Sequence, residues 1–142
     1  MTDALTLAKY IVTKCVNDDC PISNLQLQKI LYFIQVDSLQ RTGIPAFSDD
    51  MEAWRFGPVA PDVYYFFCGY GGLSILSTYD DVDYSITRND NINKIIEDKR
   101  TVKPWDLVKE AHKPGKAWDK TFQDGKGSHM IIPIEQIRDN GL

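Results

Sequence analysis

One cysteine and one histidine in this chain carry the side chains of a possible nucleophile and its general base. A thiolate next to an imidazole can attack a carbonyl carbon, and Cys68 and His112 supply those two groups. With three cysteines and two histidines in 142 residues, such a pair arises easily by chance. Cys68 also ends an apolar helical segment, where a free cysteine is typically a small buried hydrophobic residue. We therefore predict that Cys68 belongs to the core.

His112 lies on the apolar face of a predicted helix, and its role is either structural or catalytic. A lone histidine on such a face is more commonly a core or hinge residue whose ring nitrogens bond to backbone groups. The alternative is a small hydrolase or nuclease in which His112 acts with an acid such as Asp119. In that case His112→Ala would abolish activity without weakening the binding of a partner.

Two further patterns could bind a metal ion or a phosphate, and both are incomplete. Cys15 and Cys20 lack the close pairing and the matching second pair that a structural zinc site requires. The glycines within residues 69–72 are followed by Leu73, whereas a phosphate-binding loop continues with a lysine and a hydroxyl side chain. We expect no metal site and no cofactor, and we interpret the glycines as the end of a helix.

The composition is that of an ordinary soluble globular protein with a mild negative charge. Hydrophobic residues make up 43% of the chain, charged residues 25%, and the formal net charge is −4. This charge disfavours direct nucleic-acid binding, and no apolar run is long enough to cross a membrane. An odd number of cysteines without framework spacing indicates reduced thiols. We predict a cytoplasmic protein whose residues 1–142 form a single domain.

The hydrophobic pattern predicts a compact, mainly α-helical fold with a small β element. Residues 3–17 show a helical apolar stripe, and residues 24–41 are apolar around almost the whole circumference, as in a central buried helix. Ser23 and Gln26 form a capping-box pattern before that helix, and Gly43 is its natural end. Shorter helices are predicted to begin near Pro61, Asp90, Pro104 and Pro133.

Between and beyond these helices the pattern is less regular. Phe66 is assigned to the inner face of the helix after Pro61, and Trp105 to that of the helix after Pro104. Residues 73–90 are rich in Asp, Ser and Thr and are predicted to form a hairpin or an exposed loop. Residues 130–132 are apolar and favour a β conformation.

The segment MEAWRFGPVAPDVYYFF combines a short predicted strand, a Gly-Pro pair and an aromatic helix. Its first residues alternate, which places Glu52, Trp54 and Phe56 on one face of a strand. Gly57 and Pro58 are predicted to form a stiff turn, because proline fixes its own φ and glycine permits a positive φ before it.

Two stretches of the sequence carry specific signatures in a specific order. The run ISNLQLQKILYF is similar to an L-x-L-Q-K-L-L-Y helix, and the segment EAWRFGPVAPDVY is similar to E-A-W-x-x-G-P-V-x-P-x-V-Y. Both are signatures of the SocA-like antitoxins, also called Panacea-domain antitoxins or phage-associated GepA-like proteins. The resemblance covers nearly the whole chain. It implies structural roles for Leu27, Gln28, Lys29, Leu31 and Tyr32.

A third signature of that family is only partly present. The family has Thr-His followed by Pro-Trp, whereas this chain has Ala111 before His112, and Pro114 separated from Trp118. Alanine has no hydroxyl group, so the hydrogen bond that the threonine would supply is not expected in this chain. His112 and Trp118 are still expected to be structural members of the motif.

The resemblance implies that the protein neutralises a cognate protein toxin by direct binding and is not an enzyme. Members pair with toxins of unrelated kinds, including alarmone-synthetase-like and Fic/Doc-like enzymes. At least one kind is an adaptor that delivers its toxin to a protease, which would then be a second partner. A transcriptional co-regulator is a further alternative, and the acidic charge disfavours it. The oligomeric state is not predicted.

Large rigid side chains that make both apolar and polar contacts dominate binding hot spots. On that basis the turn and its flanks are predicted to bind the partner. The alternative is that the rings of this segment are simply core residues. The predicted partner-binding residues are Trp54, Arg55, Phe56, Gly57, Pro58 and Tyr64.

Overall fold

A 19-residue helix, α2 (Asn24–Thr42), lies at the centre of the computed structural model, which describes residues 2–80 and 84–142. It begins with the predicted capping box: the Gln26 amide donates to the Ser23 hydroxyl at 3.3 Å, and the Ser23 amide donates to the Gln26 side chain at 2.9 Å. It ends at Gly43, whose φ of +75° is left-handed. Both predicted ends of this helix are confirmed.

The other elements surround α2. Helices α1, α3, α5, α6 and α8 and strand β2 all contact it, so residues on every side of α2 are buried, including Leu27, Leu31 and Ile34. The predicted mainly helical fold with a central buried helix is confirmed. None of the helices in the described residues is long and apolar enough to cross a membrane. The elements are α1 (Ala4–Asn17), α2, β1 (Glu52–Trp54), β2 (Gly57–Val59), α3 (Pro61–Phe67), α4 (Tyr84–Thr87), α5 (Asp90–Lys99), α6 (Pro104–Ala111), α7 (Ala117–Phe122) and α8 (Ile134–Asn140).

The small β element is an antiparallel hairpin of β1 and β2 with a third segment along its free side. On the other side of β1, the Ala53 amide donates to the Met130 carbonyl at 2.8 Å, and the His129 amide donates to the Ala53 carbonyl at 2.7 Å. Glu52 and Ile131 form a bridge there. The β preference of residues 130–132 is therefore confirmed, and β1 is enclosed between β2 and this segment.

Two residues that were predicted to be buried, Phe66 in α3 and Cys68 directly after it, are exposed. Val63 and Phe67, four residues apart, fill the inner face of α3, and Phe66 lies about 100° around the helix from Phe67. Phe66 is consequently 48% exposed. Cys68 is also exposed, because a 3₁₀ turn (Cys68–Tyr70) begins there and takes the chain out of α3. The prediction that Cys68 is a core residue is wrong.

The prediction for the helix after Pro104 is wrong in the same way, because it assigned Trp105 to the inner face. Leu107 and Ala111 hold its inner face, and Trp105 is about 200° around the helix from Leu107, so it is 58% exposed. The sequence pattern does not predict α7, which is short and begins shortly after Gly115.

The segment before α5 contains more order than its composition suggests. Ser74 forms a bridge with Ser23, the Ile75 amide donates to the Ile22 carbonyl at 2.8 Å, and the Ile75 side chain is buried. Residues 84–87 form α4. The predicted hairpin or loop also covers residues 81–83, which lie outside the described residues.

Gly127 is required where the chain turns back towards β1. Its amide donates to the Phe122 carbonyl at 2.8 Å, and a Cβ at this position would lie 1.7 Å from the Thr121 carbonyl oxygen. We expect Gly127→Ala to lower the free energy of unfolding by about 2 kcal/mol or more, because backbone must move to admit the methyl group. Urea denaturation measures the change.

Gly69→Ala is the matched control. A Cβ at Gly69 would meet nothing within 4 Å, and its φ is not in the left-handed region. This variant should stay within about 0.5 kcal/mol of the wild-type protein. Equal midpoints for the two variants would contradict the close packing at Gly127.

Candidate partner-binding cleft

The β1–β2 hairpin turns at Arg55 and Phe56, not at Gly57 and Pro58 as predicted. Trp54 pairs with Gly57, so the exposed residues 55 and 56 alone connect the strands. Gly57 does have the predicted positive φ, +116°, but it lies within β2. Pro58 is tolerated there because β2 is an edge strand and needs no further donor. Gly57 and Pro58 are both buried.

The turn forms one side of a cleft of about 410 Å³. Four residues with a predicted partner-binding role line this cleft, namely Trp54, Arg55, Phe56 and Tyr64. Gly57 and Pro58 are not among the lining residues. The cleft also takes side chains from α2, α3 and α6, so it lies where the hairpin meets these helices.

Trp54 is the centre of the aromatic contacts in the cleft. Its ring stacks on His129 with centroids 4.3 Å apart and planes at 3°, and it meets Tyr64 edge-on at 5.0 Å. Its Nε1 donates to Glu52 Oε1 at 2.9 Å. Trp54 and Tyr64 are half-buried, so these rings are both packed and accessible.

The rim of the cleft consists of Arg55, Phe56 and Trp105. The Phe56 and Trp105 rings meet edge-on at 5.3 Å, and the guanidinium carbon of Arg55 lies 5.3 Å from the Phe56 ring centroid. Phe56 is 45% exposed and Trp105 is 58% exposed. Large rings of this kind, already held by their neighbours, lose little conformational freedom when they bind.

Nine of the described lining residues have no predicted binding role, and Cys68, Trp105 and His129 are three of them. The angular position of Trp105 on α6, away from Leu107, is a signal that could have identified it as exposed. His129 has no signal in the sequence, because it reaches Trp54 only through the pairing of residues 129–132 with β1.

Lys29 contributes to the cleft from α2 although its side chain is fully buried. Its Nζ donates to the Pro58 carbonyl at 3.0 Å, and it takes part in none of the ion pairs among the described residues. Burial lowers the pKa of Lys29 to about 7. A Cβ on Gly57 would lie 2.7 Å from Lys29 Cε, so the present position of the lysine side chain leaves no room for a larger residue there.

Asn24 and Gln28 connect α2 to the hairpin and to α3. The Gln28 amide nitrogen donates to Asn24 Oδ1 at 3.0 Å, and Gln28 Oε1 accepts from the Ala60 amide at 2.9 Å. Asn24 Nδ2 donates to the Tyr64 carbonyl at 3.1 Å. These buried bonds fix the backbone that carries the cleft.

The charge of the cleft is opposite to that of the protein. Its described lining contains no Asp or Glu, whereas it contains Lys29 and Arg55. The chain as a whole has a net charge of −4. The cleft therefore favours negatively charged or neutral groups.

His112 and Trp118 meet behind the hairpin. Their rings stack with centroids 3.7 Å apart and planes at 5°, and Trp118 Nε1 donates to the Trp54 carbonyl at 2.8 Å. His112 bonds to the backbone of Phe56, but its Nε2 is buried without a partner, so only part of its predicted backbone pairing is present. Burial, followed by the nearby charge of Lys29, lowers the pKa of His112.

The remaining reactive groups do not form a recognised centre. Cys68 lines the cleft but His112 does not. The cysteines are free, and burial raises the pKa of Cys15 to about 11. Among residues 2–80 and 84–142, no group of His, Cys, Asp and Glu is placed to hold a metal ion.

Comparison with known proteins identifies the family. The family description "Antitoxin SocA-like, Panacea domain" matches residues 27–119. Antitoxin SocA of Caulobacter vibrioides (strain NA1000 / CB15N) is 33% identical over 144 residues, covering 93% of this chain and 76% of that protein. The chain belongs to the SocA-like antitoxin family. No solved structure gives a significant match.

The matched region of this SocA-like antitoxin contains most of the cleft. Lys29, the hairpin, Trp105 and the His112–Trp118 pair lie inside residues 27–119, and His129 lies outside them. The other motif residues of α2 serve the core: Leu27 and Leu31 are fully buried, and the Tyr32 hydroxyl donates to the Gly141 carbonyl at 2.8 Å.

The buried lysine should make stability depend on pH. The unfolded chain keeps the Lys29 proton up to a pH of about 10.4, whereas the folded chain releases it near 7, so the free energy of unfolding should rise with pH between these values. Lys29→Met should be more stable than the wild-type protein at pH 7. The difference between their free energies of unfolding should be smaller by about 2 kcal/mol at pH 9. Chemical denaturation at several pH values measures this.

Lys94→Met is the control, since Lys94 is exposed on α5. The free energy of unfolding of this variant should change with pH in the same way as that of the wild-type protein. If the free energy of unfolding of Lys29→Met also changed with pH as that of the wild-type protein does, Lys29 would have the pKa of an exposed lysine.

Proposed function

We propose that this SocA-like protein neutralises a cognate protein toxin by binding it directly with the cleft and its rim. The observation that carries this proposal is the exposure of Phe56 and Trp105, two large rings held against each other on a fixed frame. Membership of an antitoxin family supports a toxin as the partner.

The chemistry of the rim suits a protein partner. Phe56 and Trp105 offer apolar area, and Arg55 adds five donors that can reach carbonyl or carboxylate oxygens. Tyr65, the residue after Tyr64 in α3, is 60% exposed and extends the aromatic surface beyond Trp54. A stable complex buries about 1,600 Å² in total, which requires such a surface to continue outside the cleft.

Neutralisation by binding requires no chemical step in the antitoxin. We infer that the rim covers the active site of the toxin or the entrance for its substrate. The fixed backbone beneath the rim supports tight binding, because a surface that is already ordered loses little entropy on association.

A catalytic role for His112 is the competing proposal. Its ring is stacked on Trp118, bonded to the Phe56 backbone and separate from the cleft lining, which favours a structural role. Delivery of the toxin to a protease would use the same first binding step. A co-regulator on DNA would need a basic face, whereas the net charge is −4. The free cysteines support a reducing compartment, and we propose that the complex forms in the cytoplasm.

We predict that Phe56→Ala and Trp105→Ala each weaken toxin binding by roughly 30-fold, because each removes a ring of hot-spot type. The protein encoded by the neighbouring open reading frame is the toxin to test, by co-purification and calorimetry. Growth of cells that co-express both proteins reports neutralisation. Both side chains are exposed, so each variant should unfold within a few degrees of the wild-type protein.

Ile44→Ala is the matched control, since Ile44 is 61% exposed and is absent from the cleft lining. It should bind and protect as the wild-type protein does. Full protection by Phe56→Ala and Trp105→Ala would refute the cleft as the toxin surface. Protection lost in His112→Ala with binding intact would favour the enzymatic alternative.

A further inference from the structure

Resting on the proposed function, we propose that the cleft binds a carboxylate carried on an apolar segment of the toxin, with Lys29 as the ammonium that receives it. The carboxylate is that of a chain end or of an acidic side chain. Its apolar neighbours would lie against the aromatic rings of the cleft.

The first argument is the state of Lys29 in the free protein. Its ammonium is fully buried, and the Pro58 carbonyl is its one acceptor among the described residues. A buried ammonium is normally paired with an acid, because isolation in a medium of low polarity costs several kcal/mol. In the protonated form of Lys29, two of the three N–H groups therefore lack an acceptor in the described structure.

The second argument is that the polar neighbours of Lys29 are already occupied. Gln28 uses both its amide nitrogen and its oxygen, and Asn24 uses its nitrogen for the Tyr64 carbonyl. None of these hydrogen bonds involves Lys29 Nζ, and neither side chain is an acid. A carboxylate from a bound partner would supply the acceptor that Lys29 lacks.

The third argument is the composition and size of the cleft. Its volume of about 410 Å³ lies within the range of sites that bind small ligands or inserted side chains. Trp54, Phe56, Tyr64 and Trp105 provide rings on its sides, and its charged lining residues are both cations. An acid on an apolar carrier matches this pairing of rings with positive charge.

The chemistry can be tested with a probe that does not depend on the toxin. We would titrate the protein with 3-phenylpropionate and with its neutral amide, 3-phenylpropanamide, and follow the tryptophan indole N–H signals by NMR. We expect saturable binding of the acid in the millimolar range, at least tenfold weaker binding of the amide, and loss of this preference in Lys29→Met. Equal binding of acid and amide, no binding up to 10 mM, or an unchanged preference in Lys29→Met would overturn the proposal.

The pH dependence of the same titration adds a second readout. A carboxylate beside Lys29 retains the lysine proton, so binding takes up a proton when Lys29 of the free protein is partly neutral. Affinity for 3-phenylpropionate should be about tenfold higher at pH 6 than at pH 8. Equal affinity at the two pH values would count against Lys29 as the receiving group.

The other ionisable groups around Lys29 need controls. Arg55, Tyr64, Cys68 and His129 line the cleft, and His112 lies behind it. His129→Asn and His112→Asn remove the two imidazoles, and the pH effect should persist in both variants. Its disappearance in either of them would transfer the effect from Lys29 to that histidine and overturn the assignment.

Measurements of toxin binding distinguish this proposal from the proposed function. Lys29→Met should bind the toxin at least tenfold more weakly while remaining folded, since its loss should not destabilise the protein. If Lys29→Met bound the toxin normally while Trp105→Ala did not, the carboxylate proposal would be refuted and toxin binding by the rim would be supported. If neither variant bound more weakly, the proposed toxin surface itself would fail.

Discussion

The cleft depends on one constraint: the buried polar side chains of α2 must find their hydrogen-bond partners on the backbone after the hairpin turn. Asn24, Gln28 and Lys29 bond to backbone groups within residues 58–64. A buried polar group left without a partner costs about 1–3 kcal/mol, so a shift of this backbone by one residue would break several favourable contacts together. The strand, the start of α3 and the rings they carry are thereby fixed relative to α2.

The hairpin is held on its other sides by different contacts. Trp118 bonds to the Trp54 carbonyl, and residues 129–132 pair with the free side of β1. The Arg55–Phe56 turn is the exposed part of an otherwise enclosed hairpin. A surface that is rigid below and exposed above suits binding, because its groups already have the geometry that the complex requires. A side chain at position 57 would be strained, because φ is +116° there and a Cβ would lie 2.7 Å from Lys29 Cε.

Lys29 has an energetic cost that folding alone does not explain. An apolar side chain of the same length would fill the same space without the desolvation of an ammonium. Residues that reduce stability in this way are concentrated at functional sites, where a partner supplies the missing interaction. The described lining of the cleft provides no acid, although the chain is acidic overall, so the positive charge at this one place is local. The proposed binding of a toxin through the cleft would account for both the exposed rings and the buried lysine.

The sequence by itself determined α1, α2 and most of the short helices, because capping residues, prolines and apolar periodicity act over a few neighbouring positions. Its two motifs also identified the family. Only the tertiary structure decided that the chain turns before Gly57, that Trp105 faces outward and that His129 stacks on Trp54. The register of the hairpin depends on which faces of its strands are buried, and the pairing of β1 with residues 129–132 depends on partners far along the chain. A short helix with apolar residues on most sides does not reveal which face is covered. The cleft depends on these strand pairings and helix orientations. Local patterns therefore identified several of its residues but could not predict that they lie together.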